Sequence, residues 1–308
     1  MATIARTSFE PAPPLPGWLG ALLPWPRFVH RVREGVDAGK RVHFVERGAV
    51  GARPVVLFHG NPTWSFLWRK VIALLDPGRF RVVAPDLLGF GLSDAPGGLR
   101  DHTVARHADA LADLLLALDL RDAILVGQDW GGPMTSTVGA RLGERVSGLV
   151  LANTSVLVPA SPRGTKFHRL ARTPVVSDLL FRVARFPMRT LHKVQGDPRS
   201  ISGEVARAYR WPLRGWSRRA GPLALARMVP TSLDHPSLPE LRRGEAWALG
   251  FQGPTALVWG ERDPILGRAL ARHEEAFPRA RVTRTQAGHF LQEEVPDALA
   301  AAIEAVSR

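Results

Sequence analysis

The stretch VGQDWGGPM, residues 126–134, decides how this sequence of 308 residues is interpreted. It follows the apolar run 123–125 and places Asp129 between glycines at a sharp turn. A strand, a small-x-nucleophile-x-small turn and a helix form the elbow pattern, in which a strained turn pushes one side chain into an active site. Many hydrolases carry a serine at this point, so a carboxylate there needs a chemical explanation.

Strand-like and helix-like patterns alternate on both sides of this elbow. Their spacing predicts single helices between strands, which indicates right-handed crossovers and a mostly parallel sheet covered on both faces. The predicted strands are 42–46, 54–59, 80–85, 123–127, 147–152, 254–260 and 281–285. The predicted helices are 64–75, 103–118, 132–142, 268–276 and 296–306.

The alternation stops between residues 155 and 250, which are rich in Pro, Arg and Trp and show no convincing strand. We interpret this stretch, called the cap segment below, as a mainly helical insertion that roofs a ligand site at the strand ends. Residues 1–154 and 251–308 then form the two parts of one α/β core. The first 40 residues or so are an extension. Its first 27 residues are proline-rich and are expected to wrap loosely over the core.

Composition narrows the class of protein. The chain is 45% hydrophobic and 22% charged, with no cysteine, which excludes disulfides and thiolate chemistry. It has no apolar run of about 18 residues and no secretory signal pattern, so we expect a cytoplasmic protein without a membrane span. No phosphate loop, dinucleotide glycine pattern or histidine pair at metal-ligand spacing occurs. The sequence therefore predicts no cofactor and no metal.

The formal net charge of +13 raises the question of nucleic acid. Nucleic-acid binders usually concentrate basic residues in a stripe or tail. Here the arginines are interpreted as scattered through every segment, so no nucleic-acid partner is predicted. The basic surface could still favour anionic partners or the exit of an anionic product.

Four polar residues follow predicted strands: Asn61, Asp129, Asp263 and His289. Ligands of open α/β sheets collect at the carboxyl ends of strands, so these residues are expected to meet. The order nucleophile, acid, histidine is the triad order of α/β-hydrolases. Each residue alone could be a loop or core residue, but the set indicates a catalytic site.

A carboxylate nucleophile suits attack on a saturated carbon. Such a carbon has no carbonyl to polarise, so displacement needs a nucleophile that is already anionic at pH 7. Asp129 would form an alkyl ester, and His289, oriented by Asp263, would draw a proton from the water that attacks this ester. The indole N–H of Trp130 and the side-chain amide of Asn61 are neutral donors suited to a departing halide.

These motifs resemble the haloalkane dehalogenases of the α/β-hydrolase superfamily. The resemblance rests on HGNPTWSFLWRKVI (59–72), DLLGFGLSD (86–94), GQDWGGP (127–133), WGERDP (259–264) and AGHFLQEE (287–294). It implies Asp129 as nucleophile, His289 as base, Asn61 and Trp130 as the halide-stabilising pair, and the backbone N–H groups of these two as the oxyanion hole. The implied partners are a halogenated small molecule, water and the halide product.

The acid distinguishes subgroups of that family. One branch places a glutamate after the strand 147–152, but residues 152–155 read ANTS without a carboxylate, so Asp263 is favoured over that position and over Glu261. An asparagine in the first motif with this late acid resembles a subgroup whose members tend to form homo-oligomers. In another branch, a cap tryptophan supplies the second halide donor. Trp211 and Trp216 are therefore kept as less favoured candidates for this role.

Other interpretations stay open. Epoxide hydrolysis would want two acidic donors, typically tyrosines, and the chain has only Tyr209. Esterase action, a cofactor-free or luciferase-like oxygenase, and a binding protein with a basic surface are further alternatives. Glu293 and Glu294 are expected to cap a helix or face solvent. The expected apolar pocket residues are Phe167, Phe181, Leu213, Met228 and Phe290.

Overall fold

The computed structural model describes residues 9–308, and the strands of this part form one sheet. They are β1 (Glu10–Pro11), β2 (Arg27–Arg31), β3 (Arg41–Arg47), β4 (Arg53–Phe58), β5 (Phe80–Pro85), β6 (Ala123–Asp129), β7 (Val146–Thr154), β8 (Thr255–Gly260) and β9 (Arg281–Thr285). Their spatial order is β1-β2-β3-β5-β4-β6-β7-β8-β9. The pairs from β5 to β9 are parallel, and the first three strands are antiparallel.

Helices connect the strands and cover the sheet. Those of the first part are α1 (Gly17–Leu22), α2 (Arg69–Leu74), α3 (Val104–Ala117) and α4 (Gly131–Leu142). The cap segment contains α5 (Lys166–Arg172), α6 (Val176–Asp178), α7 (Gly203–Arg210), α8 (Ala220–Met228) and α9 (Leu238–Gly250), with no strand. The last part has α10 (Leu270–Ala276), α11 (Leu291–Glu294) and α12 (Pro296–Val306). This is an α/β-hydrolase fold with a helical cap, as the alternation and the elbow predict.

The central strands are buried on both faces because helices lie on either side. Along β4, Val55 and Leu57 pack into one apolar cluster with residues of α2 and α12. Val56 and Phe58 point to the other face and pack with α3 and α4. Alternate residues of a strand face opposite sides of a sheet, so a strand covered on both faces reads as a continuous apolar run.

Several predicted bounds agree with the structure. The strands β5 and β9 and the helix α12 span the predicted residues. The helix predicted over 64–75 is a 3₁₀ turn, Ser65–Trp68, followed by α2. Phe66 and Trp68 of that turn are buried, so packing rather than a continuous hydrogen-bond ladder fixes this segment.

The described part of the N-terminal extension is folded into the sheet rather than loosely wrapped. β1 pairs with β2, and β2 pairs antiparallel with β3 over five residues. Leu19 and Leu23 are buried in the same apolar cluster as α2. The expectation of a loose wrap is therefore wrong for residues 9–27, because the prolines flank elements that bury their apolar side chains.

None of the helices within residues 9–308 combines the length and the apolar character needed to cross a membrane.

Candidate active site

Asp129 is the last residue of β6 and lies where the chain turns into α4. Its φ of +54° is in the left-handed region, which costs of order 1–3 kcal/mol for a residue other than glycine. The neighbouring strand β4 brings Gly60 against it, where a Cβ atom would lie 2.4 Å from Asp129 Oδ1. Only glycine allows the two loops to approach this closely, so the strained turn is held by tight packing.

The two carboxylate oxygens of Asp129 have different surroundings. Oδ1 accepts the backbone N–H of Asn61 at 2.6 Å, and the backbone N–H of Trp130 also bonds to this carboxylate. Oδ2 lies 3.6 Å from Nε2 of His289. The carboxylate is therefore held by two main-chain donors, and its Oδ2 atom faces the imidazole.

His289 and Asp263 form a buried pair beside this carboxylate. Nδ1 of His289 donates to Asp263 Oδ2 at 2.9 Å, and both side chains are at most 1% exposed. The Asp129 side chain is 14% exposed. Its carboxylate is therefore accessible, whereas the side chains of His289 and Asp263 are buried. Glu261, the competing acid, bonds instead to Gln286 at the surface.

Burial and charge act in opposite directions on these groups. Burial raises the pKa of Asp129 above its ordinary value, although His289 and the two N–H donors favour the ionised form. Burial alone would lower the pKa of His289, but the Asp263 carboxylate, its hydrogen bond and the Asp129 charge outweigh burial and raise it. The imidazole is thus a stronger base than an isolated histidine.

The donors predicted to bind halide differ in their present partners. The Asn61 side-chain amide donates to the carbonyl of Pro222, at the start of α8, at 3.1 Å, and its Oδ1 is buried without a partner. Trp130 is 8% exposed, and its indole N–H has no hydrogen-bond partner within residues 9–308. The cap segment therefore holds the asparagine amide, and the indole donor remains free.

Three residues that sequence reasoning missed hold this arrangement together. Gln128 Nε2 donates to the His289 carbonyl at 3.0 Å and lies 3.3 Å from its Nε2. Asn153, at the end of β7, donates to the Gly288 carbonyl and accepts from the Gly260 N–H. Thr154 Oγ1 donates to the Asp129 carbonyl at 2.5 Å. The only sequence signal was their position at strand ends beside the elbow.

Glu293 neither caps a helix nor faces solvent, so that expectation is wrong. Its carboxylate is buried and accepts two bonds from Arg69, at 2.5 and 2.7 Å, and one from Tyr209 at 2.5 Å. Lys70 Nζ lies 3.2 Å away. Because Tyr209 belongs to α7, this network ties the cap segment to the helix that follows His289. Glu294 is also bonded, accepting from the cap backbone at Gly196.

Substitutions in this network should have unequal costs. Arg69→Met leaves the Glu293 charge buried with weaker compensation, and we expect it to lower the free energy of unfolding by about 3–5 kcal/mol. Tyr209→Phe removes one hydrogen bond from a carboxylate that keeps Arg69, and a loss of about 1.5–3 kcal/mol is expected. Urea denaturation of both variants measures the two losses. Equal losses, or a larger loss for Tyr209→Phe, would contradict this account of the network.

A small cavity lies in the cap segment next to Pro222. Its volume is about 20 Å³, which is room for one or two water molecules. The lining residues are Phe181, Arg185, Phe186, Met188, Arg210, Leu213, Arg219 and Pro222.

The predicted pocket residues separate into two groups. Phe181 and Leu213 line this cavity, and Phe167 packs against Phe181. Phe290 packs edge-on against the His289 ring at 4.7 Å, while Met228 belongs to the core cluster beneath the cap.

The two cap tryptophans considered as halide donors, Trp211 and Trp216, make packing contacts in the structure. Trp211 stacks on Trp64, and its indole N–H is buried without a partner. Trp216 is 54% exposed and lies under the guanidinium of Arg182. Within the described chain, no group of three or more His, Asp and Glu side chains is arranged to hold a metal ion.

Comparison with known proteins shows the family to which this chain is related. Residues 53–296 match the model of the alpha/beta hydrolase fold. A haloalkane dehalogenase of Mycobacterium marinum is 36% identical over 259 residues, which are 82% of this chain and 84% of that protein. Haloalkane dehalogenase 2 of Mycobacterium tuberculosis is also 36% identical, over 85% of this chain and 90% of its own.

Solved structures of haloalkane dehalogenases have the same fold as this chain. The tetrameric haloalkane dehalogenase of Paraglaciecola agarilytica superposes with a TM-score of 0.79 at 25% identity, covering 92% of this chain and 93% of that one. A haloalkane dehalogenase of Bradyrhizobium elkani gives 0.78 at 26% identity, covering 91% and 98%. The chain therefore belongs to the haloalkane dehalogenase family within the α/β-hydrolase fold.

Proposed function

We propose that this enzyme hydrolyses haloalkanes to an alcohol and a halide through a covalent ester on Asp129. The observation that carries the proposal is the asymmetry of the Asp129 carboxylate: Oδ1 is held by the main-chain N–H of Asn61 and Oδ2 faces His289. An anionic oxygen fixed in this way can attack a saturated carbon in line with its leaving group.

In the first step, Oδ2 forms a bond to the carbon as the carbon–halogen bond breaks, and the halide leaves with the bonding electrons. Trp130 supplies a free indole N–H beside the nucleophile, and Asn61 supplies a second amide donor held by Pro222. Neutral donors suit a halide, which needs hydrogen bonds but no proton. The products of this step are the alkyl ester of Asp129 and the halide ion.

In the second step, His289 takes a proton from water as the water oxygen bonds to Cγ of Asp129. Negative charge then develops on Oδ1, which already accepts the N–H of Asn61, and the N–H of Trp130 bonds to the same carboxylate group. Asp263 stabilises the imidazolium through Nδ1. Collapse releases the alcohol and restores the Asp129 carboxylate, and His289 returns its proton to solvent.

The main alternative on this scaffold is epoxide hydrolysis, which needs an acidic donor at the opening oxygen. Tyr209 is the only tyrosine of the chain, and its hydroxyl is buried and bonded to Glu293. This contact supports a halide rather than an alkoxide as the leaving group. Oxygen uptake without halide release would instead favour an oxygenase activity.

The hydrolysis of the ester should depend on pH through His289. The base works when neutral, so the rate should fall as pH drops through its pKa, which Asp263 and Asp129 raise above the ordinary 6.5 in the free enzyme. Esterification removes the Asp129 charge and thus one cause of the raised pKa. We therefore expect single-turnover hydrolysis to report a lower pKa than NMR titration of His289 in the free enzyme.

A hydrolysis rate that does not vary between pH 5 and 9, or a pKa higher in the ester than in the free enzyme, would contradict this role of His289.

Halide release from brominated and chlorinated alkanes of graded length tests the proposed activity itself. Halide release is expected at least from primary bromides. The absence of halide release from every alkane of the panel would overturn the proposed reaction. Separately, sedimentation of the same preparation tests the homo-oligomer that the family resemblance implies.

A further inference from the structure

The arginines are spread along the chain, as interpreted from the sequence, but the net positive charge is concentrated in the cap segment because acidic residues are scarce there. The cap segment holds 17 of the 41 lysines and arginines but only 6 of the 28 acids, a net charge of +11 out of +13. The rest of the chain is nearly neutral. Within the cap segment, residues 163–193 contain eight basic residues and a single acid, Asp178, which is paired with Arg182.

The same region exposes apolar side chains. Among the described residues, twelve large apolar side chains are notably exposed, and six of them lie between residues 170 and 216. Four of these form an apolar ridge on α6 and the π-helical turn that follows it. The apolar ridge consists of Val175, Val176, Leu179 and Val183, whose side chains are 45–68% exposed.

The ridge is one face of an amphipathic segment. Ser177 and Phe181 point inward from the same turns and are buried. Trp216 adjoins the segment, because the Arg182 guanidinium lies 5.0 Å from its ring centroid. The exposed residues Arg169 and Leu170 lie on the neighbouring helix α5. Apolar and basic side chains are therefore mixed on one surface.

We propose that this surface docks on an anionic lipid bilayer, with the apolar ridge and Trp216 in the interfacial region and the arginines against the headgroups. A surface that combines exposed Val, Leu and Trp with Arg matches a bilayer, which accepts apolar side chains and attracts positive charge. Nucleic acid would use the arginines but would not bury valine and leucine. A second copy would bring two like-charged surfaces together.

Docking would also orient the cap toward the bilayer. Phe181 and Arg185, on or next to the ridge-bearing turns, line the cavity beside Pro222. These lining residues would then lie near the phase in which apolar haloalkanes dissolve. This consequence rests on the proposed function, whereas binding to lipid does not.

The test is co-sedimentation of the full-length protein with vesicles of phosphatidylglycerol and phosphatidylcholine, or of phosphatidylcholine alone, at low and high salt. We expect binding to the anionic vesicles at least about 10-fold tighter than to neutral ones, weakened by salt. Leu179→Asn with Val183→Asn should weaken it by about 10-fold or more, since two apolar side chains no longer enter the interface.

A matched control, Leu74→Asn with Leu116→Asn, removes exposed leucines of α2 and α3 and should bind like the wild type. Arg169→Gln with Arg185→Gln should weaken binding, whereas Arg100→Gln with Arg281→Gln should not. Halide release by the Leu179 and Val183 variant reports separately on catalysis, so a failure of the proposed reaction is distinguishable from a failure of docking.

Three results would overturn the proposal: no binding to anionic vesicles, equal losses in the ridge and control variants, or equal binding to both kinds of vesicle. Gel-shift binding of duplex DNA that the Arg169 and Arg185 variant loses and the ridge variant keeps would assign the surface to nucleic acid instead. Sedimentation velocity completes the test, because an oligomer that only the ridge variant dissociates would assign the surface to a second copy.

Discussion

Asp129→Ala is expected to lower halide release by at least about 10⁴-fold, because the variant lacks the carboxylate that we propose displaces the halide. Water cannot take its place efficiently, since His289 is aligned on the carboxylate at 3.6 Å rather than on a substrate carbon. The measurement is halide release from a primary bromoalkane under saturating conditions. Circular dichroism and denaturation of the variant show whether the fold is kept.

The control removes an exposed carboxylate away from the strand ends. Asp109 lies on α3 and pairs with Arg141 at the surface, so Asp109→Ala should release halide at nearly the wild-type rate. Retention of more than about 1% of the activity by a folded Asp129→Ala variant would contradict nucleophilic catalysis by this residue.

His289→Gln should separate the two steps rather than abolish both. The first step needs the Asp129 carboxylate and the halide donors but no proton transfer, so one burst of about one halide per enzyme is expected. The second step loses its base, and turnover should fall by about 10²–10⁴-fold. The alkyl ester then accumulates and is visible as a mass increase of the intact protein, localised to the peptide that contains Asp129.

Asp263→Asn provides a graded comparison, because it keeps the hydrogen-bonding shape but removes the charge that raises the pKa of His289. It should slow ester hydrolysis less severely than His289→Gln. Complete loss of the halide burst in a folded His289→Gln variant would assign the histidine to the first step and contradict the proposed division of roles.

The fold was predictable where apolar periodicity and strand spacing agree. The bounds of β5, β9 and α12 were predicted correctly. In each of these segments, the period of the sequence pattern matches that of the strand or helix that forms. The N-terminal elements were missed because prolines suggested irregular chain. In the structure, β2 pairs antiparallel with β3, the next strand along the chain.

The candidate site was predictable from residues at strand ends, since parallel strands bring their carboxyl ends to one edge. Asn61, Asp129, Asp263 and His289 meet for this reason. Gln128, Asn153 and Thr154 carry no comparable signal, because an amide or a hydroxyl beside a strand end is common and its partner depends on side-chain direction. The cap contact from Pro222 to Asn61 depends on how residues 155–250 pack, which no sequence period specifies.

The most direct test of the central claim is a single turnover with excess enzyme in water labelled with ¹⁸O. If Asp129 attacks the carbon and water then attacks Cγ, the alcohol carries unlabelled oxygen from the enzyme, and the label appears in the Asp129 carboxylate. Mass spectrometry of the alcohol and of the peptide containing Asp129 measures both. Label in the alcohol, with none in the peptide, would show direct attack by water and contradict the covalent ester.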